Sequence, residues 1–280
     1  MFQTILVTGA TGKTGRRLLP MLDSTGARTK SASRVEGPNH VLFDWARPET
    51  WQDAIKGVDA IYLVGPDLIE DPSEQVAAFL DIARQSGVTK VVGLSSLGVT
   101  FPDEPLLSGR RKVEAAIKDC GLEWTILRPS GFYQNFSEGF FAPGIAAGHV
   151  RTATGSGKAA FIDATDIAAV AAAALTQPGH NRQIYALTGP EPLSIEDCLA
   201  ILEPEMDRKI SYSALTEDEF RSMMIGFGLP ADFADVVVRD QLAIRDGFAM
   251  EVTNLVETVT GLPPTGFAQF AAAASLLSGN

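Results

Sequence analysis

The chain is short of the residues on which several kinds of chemistry depend. It has two cysteines in 280 residues, Cys120 and Cys198, and no Cys-x-x-Cys pair. That leaves nothing from which to build a disulfide framework or a thiolate zinc site, and it suits a reducing compartment. Three histidines, His40, His149 and His180, form no metal-ligand spacing, so each reads as a surface or internally satisfied residue and no metal is expected. Positive charge is scarce too: 23 Lys and Arg against 34 Asp and Glu give a formal net charge of −11. Nucleic-acid binding ordinarily needs a basic face, which this balance argues against. The alanine-rich stretches near 167–175 and 267–277 are too short to span a bilayer. The first strand begins almost at once, leaving no room for a signal peptide. There is no low-complexity tract and no internal repeat. These absences lead us to expect a globular cytoplasmic chain, monomer or homodimer, that acts on a small molecule without a membrane or nucleic-acid partner.

What is present begins at the N-terminus. The apolar run Ile5-Leu6-Val7 leads directly into Gly9-Ala10-Thr11-Gly12-Lys13-Thr14-Gly15, and Arg16 to Leu22 continues with helical spacing. A strand, a glycine turn and a helix in this order make a dinucleotide site. The turn is tight, the backbone approaches a pyrophosphate with no side chain in the way, and the helix N-terminus points at the phosphates. The rival is an ATP-binding P-loop, since Gly12-Lys13-Thr14 matches its last three residues. That loop needs a glycine where Val7 stands. A glycine turn that binds nothing is the plainer alternative.

The second strand argues against both rivals. An acidic residue about 20 positions after the glycine loop holds the ribose 2′-hydroxyl of NAD. Here Ser33 and Arg34 stand at that place. A guanidinium fork suits the 2′-phosphate of NADP, with Lys13 as a second positive charge. Glu36 is close enough to be the missing acid, in which case Arg34 is merely solvated. NADPH is therefore preferred over NADH.

Apolar strands alternate with helical segments through the first half: His40–Asp44, a helix about Pro48–Lys56, Ala60–Val64, a helix Ser73–Ser86, Lys90–Ser95, a helix about Ser108–Asp119, and Glu123–Leu127. Near-continuous apolar strands separated by helices predict an α/β Rossmann fold, a doubly wound parallel sheet covered on both faces. Residues 1–130 would form the NADP-binding core, with 150–190 returning to the same sheet through a strand at Gln183–Leu187. Residues 131–149 and 191–280 would form a smaller, mostly helical substrate-binding part, with one strand at Lys209–Tyr212 and helices from Thr216 and about Ala231.

Ligands of open α/β sheets lie at the carboxyl ends of the strands. That rule nominates Asp44 for the adenine amino group, the Val64-Gly65-Pro66 turn for close backbone approach, and Ser95 and Ser96 for the nicotinamide ribose or substrate. It also points to Arg128-Pro129. Each has a plainer reading as a turn or capping residue. Phe132-Tyr133-Gln134-Asn135-Phe136 follows the sixth strand. Phe132 would border the nicotinamide, and Tyr133, Asn135 and Phe136 would line a planar substrate, unless they form a simple hydrophobic cover.

Short-chain dehydrogenases place Tyr-x-x-x-Lys one helical turn apart, the lysine lowering the tyrosine's pKa for proton exchange. This chain keeps Lys112 but has Ser108 in the tyrosine position. A serine hydroxyl is too weak an acid to substitute without a base. Lys112 is left to hold the nicotinamide ribose, unless it is only a solvated lysine, and Tyr133 is the best remaining proton donor.

Gly9–Gly15, Ser33-Arg34, Arg128-Pro129 and Gln134-Asn135 resemble the NmrA-like atypical short-chain dehydrogenases. Several segments are similar to one branch, the festuclavine and agroclavine dehydrogenase-like reductases. They are Phe43-Asp44-Trp45, Ile61–Val64, Asn135–Glu138, Ala153–Lys158, Phe161-Ile162 with Asp166–Val170, and Val259-Thr260-Gly261. The resemblance implies a Rossmann fold, NADPH, and hydride transfer to an iminium carbon, and it fixes cofactor better than substrate. An iminium already carries its charge, so its reduction needs no general acid. Quinone or enone reduction, and a non-catalytic NADP(H)-binding regulator of the NmrA type, are the alternatives.

Overall fold

The computed structural model describes residues 3–34, 37 and 40–278. The first half runs β1 (Thr4–Val7), α1 (Gly15–Ser24), β2 (Arg28–Ser33), β3 (His40–Leu42), α2 (Trp51–Ile55), β4 (Ala60–Leu63), α3 (Ser73–Gln85), β5 (Lys90–Leu94), α4 (Gly109–Asp119) and β6 (Glu123–Pro129). The second half adds α5 (Gln134–Ser137), α6 (Ala142–Ala147), β7 (His149–Thr152), β8 (Lys158–Ala159), α7 (Ala164–Thr176), β9 (Gln183–Leu187), β10 (Leu193–Ser194) and α8 (Ile195–Met206). It closes with β11 (Ser211–Ala214), α9 (Glu217–Gly226), α10 (Ala231–Arg245), α11 (Leu255–Thr260) and α12 (Phe267–Ser278).

Seven strands form one sheet in the order β3-β2-β1-β4-β5-β6-β9. Every registered pair from β3 to β6 is parallel. Hydrogen bonds from Arg182 N–H to Trp124 O and from Ser130 N–H to Leu187 O carry β9 along β6 in the same direction. This is the expected doubly wound Rossmann sheet, and its order reverses between β1 and β4. Ile5-Leu6-Val7 and Ala60-Ile61-Tyr62-Leu63 are buried along their length, as central parallel strands covered on both faces must be.

The chain divides into two compact units. One comprises residues 1–99, 105–128 and 167–185, the other 100–104, 129–166 and 186–280. The returning segment is thus shorter than the 150–190 read from sequence. In the first unit Leu6, Ile61, Val91 and Ile126 pack against Trp51, Phe79, Leu80 and Ile117. Phe43, Trp45, Trp51 and Phe79 meet edge to face at 5.0–5.8 Å between ring centres, the arrangement that ring quadrupoles favour.

In the second unit α9 and α10 close on Ala153 through Phe220, Met224, Ala234 and Val238. Both α8 and α9 start with reciprocal capping boxes, Ser194 with Asp197 and Thr216 with Glu219, which satisfy the amides left open at a helix start. The strand expected at Lys209–Tyr212 lies instead at Ser211–Ala214. Its register is set by pairing with His149–Thr152, a partner that local apolarity does not reveal. Among the described residues, no helix is long and apolar enough to cross a membrane.

Candidate active site

The glycine turn is built on two cross-links between β1 and β4. Thr8, fully buried, donates its hydroxyl to Tyr62 O or Val64 O, both at 3.1 Å, and accepts from Val64 N–H at 2.7 Å. Buried Thr14 accepts from the Tyr62 hydroxyl at 2.9 Å. Between them Gly9 takes φ +62°, and a Cβ there would lie 3.1 Å from Val64 Cβ. Gly12 N–H closes the turn on Gly9 O at 2.9 Å. A Cβ on Gly15 would sit 2.2 Å from Gly9 O and 2.8 Å from Ala10 Cα, so only glycine lets α1 start this close to the turn.

Thr11 and Gly12 are exposed just before α1, whose N-terminal dipole favours an anion. Lys13 is half-buried; burial and the charges of Arg16 and Arg17 hold its ammonium below the usual lysine range, against the pull of Asp67. Arg34 is exposed just beyond β2, after half-buried Ser33. A crowded group of cations, a cradle that a Cβ would fill and an open helix N-terminus fit a phosphate-bearing dinucleotide. Sequence reading passed over Arg16 and Arg17, although they directly follow the last glycine. Glu36, the alternative acid, lies outside the described residues.

The other nominated positions divide. Val64, Gly65 and Pro66 are half-buried at the end of β4, and a Cβ on Gly65 would meet nothing nearer than Val76 at 4.0 Å. Asp44 closes a turn: its Oδ1 accepts from Ala46 N–H at 3.0 Å and its carbonyl from Trp51 Nε1 at 2.9 Å. Ser96 Oγ accepts from Gly98 N–H at 3.1 Å, which is the turn-capping alternative.

At the ends of β5 and β6 the nominated Ser95 and Arg128 meet a residue missing from the sequence reading, Glu114. Glu114 of α4 is 2% exposed. It accepts Ser95 Oγ–H on Oε1 at 2.7 Å and the Arg128 guanidinium on both oxygens, from Nε at 2.8 Å and Nη2 at 2.6 Å. Lys118 Nζ stands 3.4 Å away. Burial alone would lift the Glu114 carboxyl, but the hydrogen bonds from Arg128 and Ser95 and the charges of Arg128 and Lys118 outweigh it and hold it below its usual range. The signal was readable afterwards: Glu114 is a lone acid on the apolar face that carries Ile117.

Ser108 is buried and caps α4, accepting from Arg111 N–H at 3.4 Å. One turn on, Lys112 is 44% exposed and donates to Asp71 Oδ2 at 2.5 Å. That hydrogen bond and the charge of Asp71 raise the pKa of the lysine. The ion pair ties α4 to the loop after β4, an arrangement closer to the solvated-lysine reading than to a ribose ligand.

In the second unit Tyr133 has no exposed surface. Its hydroxyl donates to Thr265 O at 3.2 Å, and its ring packs on Phe267 and Phe270. Burial, with nearby acidic groups, pushes the phenol well above its ordinary pKa. A sealed phenol of that kind is ill placed to give up a proton, which weighs against Tyr133 as donor. Phe136 is likewise buried, among Phe141, Phe161 and Phe267. Phe132 and Asn135 are half-buried and keep some open surface.

Comparison with known proteins accords with this geometry. Residues 9–178 match the family described as NAD(P)H-binding. The chain is 33% identical over 281 residues to the NAD(P)H azoreductase of Xenophilus azovorans, covering 96% of this chain and 97% of that protein. It is 33% identical over 285 residues to festuclavine synthase I of Penicillium roqueforti, again covering 96% and 97%. The fold superposes with a TM-score of 0.81 on the NADPH-dependent quinone oxidoreductase QOR2 of Escherichia coli, complexed with NADPH, at 23% identity over 96% of this chain and 99% of that one; at that identity the likeness shows the fold. With a family match spanning most of the chain and near full-length relatives above the 30% level, the protein belongs to the NAD(P)H-binding family.

Proposed function

We propose that the protein is an NADPH-dependent reductase that passes hydride to a planar small-molecule acceptor, an iminium C=N before a quinone or enone. The observation that carries this reading is the lack of a usable proton donor both at Ser108, where short-chain dehydrogenases have tyrosine, and at Tyr133, the residue nominated in its place. Ser108 is spent capping α4 and Tyr133 is sealed against Thr265 O. General acid–base help is worth roughly 10²–10⁴-fold where it is needed. An already cationic acceptor does not need it. The named activities of the azoreductase and festuclavine synthase relatives support a flat, conjugated acceptor.

Gly9, Thr11, Gly12, Lys13, Thr14 and Gly15 would hold the pyrophosphate. Ser33 and Arg34 would take the 2′-phosphate, and Val64–Pro66 and Ser95 the nicotinamide half. The bound cofactor supplies the hydride. Of the candidate substrate contacts, Ser96 and Asn135 keep open surface, while Phe136 is buried among Phe141, Phe161 and Phe267.

NADPH oxidation followed at 340 nm with cyclic iminium, quinone and azo acceptors tests the reading. Turnover fastest with the iminium is expected. Cofactor binding without turnover of any acceptor would favour a non-catalytic NADP(H)-binding regulator. Arg34→Ala is expected to weaken NADPH binding about tenfold or more, within the range of a charged hydrogen bond, and to leave NADH nearly unchanged. Equal losses in a fluorescence titration would remove the 2′-phosphate assignment.

A further inference from the structure

Glu114 does more than neutralise Arg128. Ser95 follows β5 directly, and its N–H donates to Leu127 O at 2.7 Å, so it stands beside Arg128 at the carboxyl edge of the sheet. A serine hydroxyl has one proton and two lone pairs. The proton of Ser95 is committed to Glu114 Oε1 at 2.7 Å. That oxygen also takes Arg128 Nε–H, while Oε2 takes the Nη2–H. The carboxylate is therefore gripped by a bidentate fork and cannot turn away. At half-buried Ser95 only lone pairs remain for anything arriving at the strand ends.

We propose that Glu114 is a positioning residue that makes Ser95 an acceptor only, so that Ser95 holds an N–H or O–H donor of the nicotinamide half of the cofactor and neither protonates nor polarises a substrate carbonyl. The proposal rests on the cofactor reading of this strand edge. It agrees with reduction of an acceptor that needs no proton. It also explains why an ionised carboxylate is kept in an almost fully buried position. A neutral partner for Arg128 would not fix the serine's polarity.

Replacing Glu114 by glutamine tests this point. Arg128 Nη2 keeps the amide oxygen in the place of Oε2, the shorter of its two contacts, at the loss of the Nε–H bond. The Gln NH2 then stands where Oε1 was, faces Ser95 and turns the serine proton outward; a donor then meets the cofactor's donor. The experiment measures dissociation constants of NADPH and of 2′,5′-ADP, which lacks the nicotinamide half, for the wild type, Ser95→Ala and Glu114→Gln. Ser95→Ala should weaken NADPH about fivefold, in line with one lost hydrogen bond. Glu114→Gln should weaken it at least as much, and both should leave 2′,5′-ADP within twofold of wild type. Wild-type NADPH affinity in Ser95→Ala, or equal losses for both ligands in both variants, would overturn the proposal. If wild-type protein binds neither ligand, the cofactor reading itself has failed, and the proposal with it.

Discussion

Glu114 in the first unit and Tyr133 in the second are both buried polar groups, and the two units handle them differently. In the first unit Glu114 is met by partners from three sources: Ser95 after β5, Arg128 on β6 and Lys118 on its own helix. In the second, Tyr133 has one partner, a backbone carbonyl, inside a ring of phenylalanines. The first solution keeps an ion charged; the second keeps a phenol neutral. The lesson is that a buried ionisable side chain is no sign of proton traffic. What decides is whether its proton, or its lone pairs, have anywhere left to go.

The comparison breaks most visibly at Glu114→Ala. Arg128, itself only 19% exposed, would keep a buried guanidinium without its counter-ion, a loss worth about 3 kcal/mol or more. Urea unfolding should register it; a cost below about 1 kcal/mol would mean that water replaces the carboxylate. Tyr133→Phe should be far milder, about 1 kcal/mol for one neutral hydrogen bond, with steady-state NADPH turnover unchanged. A tenfold fall in kcat without loss of folding would identify the phenol as the proton donor after all.

The finest test is the sign of the pH dependence. Glu114 is held below its usual pKa by its partners. Its contribution is therefore present above the unfolded glutamate value and is lost as pH falls through the folded one. Asp166 in the second unit accepts from Thr265 N–H at 2.7 Å and Oγ1–H at 3.1 Å. Burial, abetted by the charge of Asp163, nevertheless lifts its pKa over the opposing hydrogen bonds. Its folded form takes a proton more readily, so that contribution is full below the unfolded aspartate value and declines as pH rises through the folded one. Melting temperatures scanned over about pH 3–7 should show Glu114→Gln flattening the acid-side loss and Asp166→Asn flattening the decline above it. Identical profiles for the two variants would erase the contrast.

The cofactor half was legible because its requirements are local. Gly12 and Gly15 are demanded by contacts within the turn, since a Cβ on either would crowd Gly9 O, and Gly9 by its own left-handed φ. The doubly wound parallel sheet followed from apolar runs long enough to be buried on both faces. What escaped notice depends on distant pairings. Glu114 acquires its meaning only when β5, β6 and α4 converge, and β11 takes its register from β7, some sixty residues earlier. Tyr133 shows the same limit from the other side. Nothing near it in sequence announces Thr265 or Phe267, more than a hundred residues on, which take it out of contact with solvent.

The hydroxyl of Thr8, bonded to the backbone of β4, and that of Tyr62, bonded to Thr14, have a kinetic consequence. Because they lock β1 to β4 and to the residue that precedes α1, the glycine turn is held by bonds internal to the folded chain. Ordering a loop of this length around a ligand would cost on the order of several kcal/mol, and here that ordering is already complete in folding. Cofactor capture should then proceed in a single phase whose observed rate rises linearly with nucleotide concentration, with no slow rearrangement behind it.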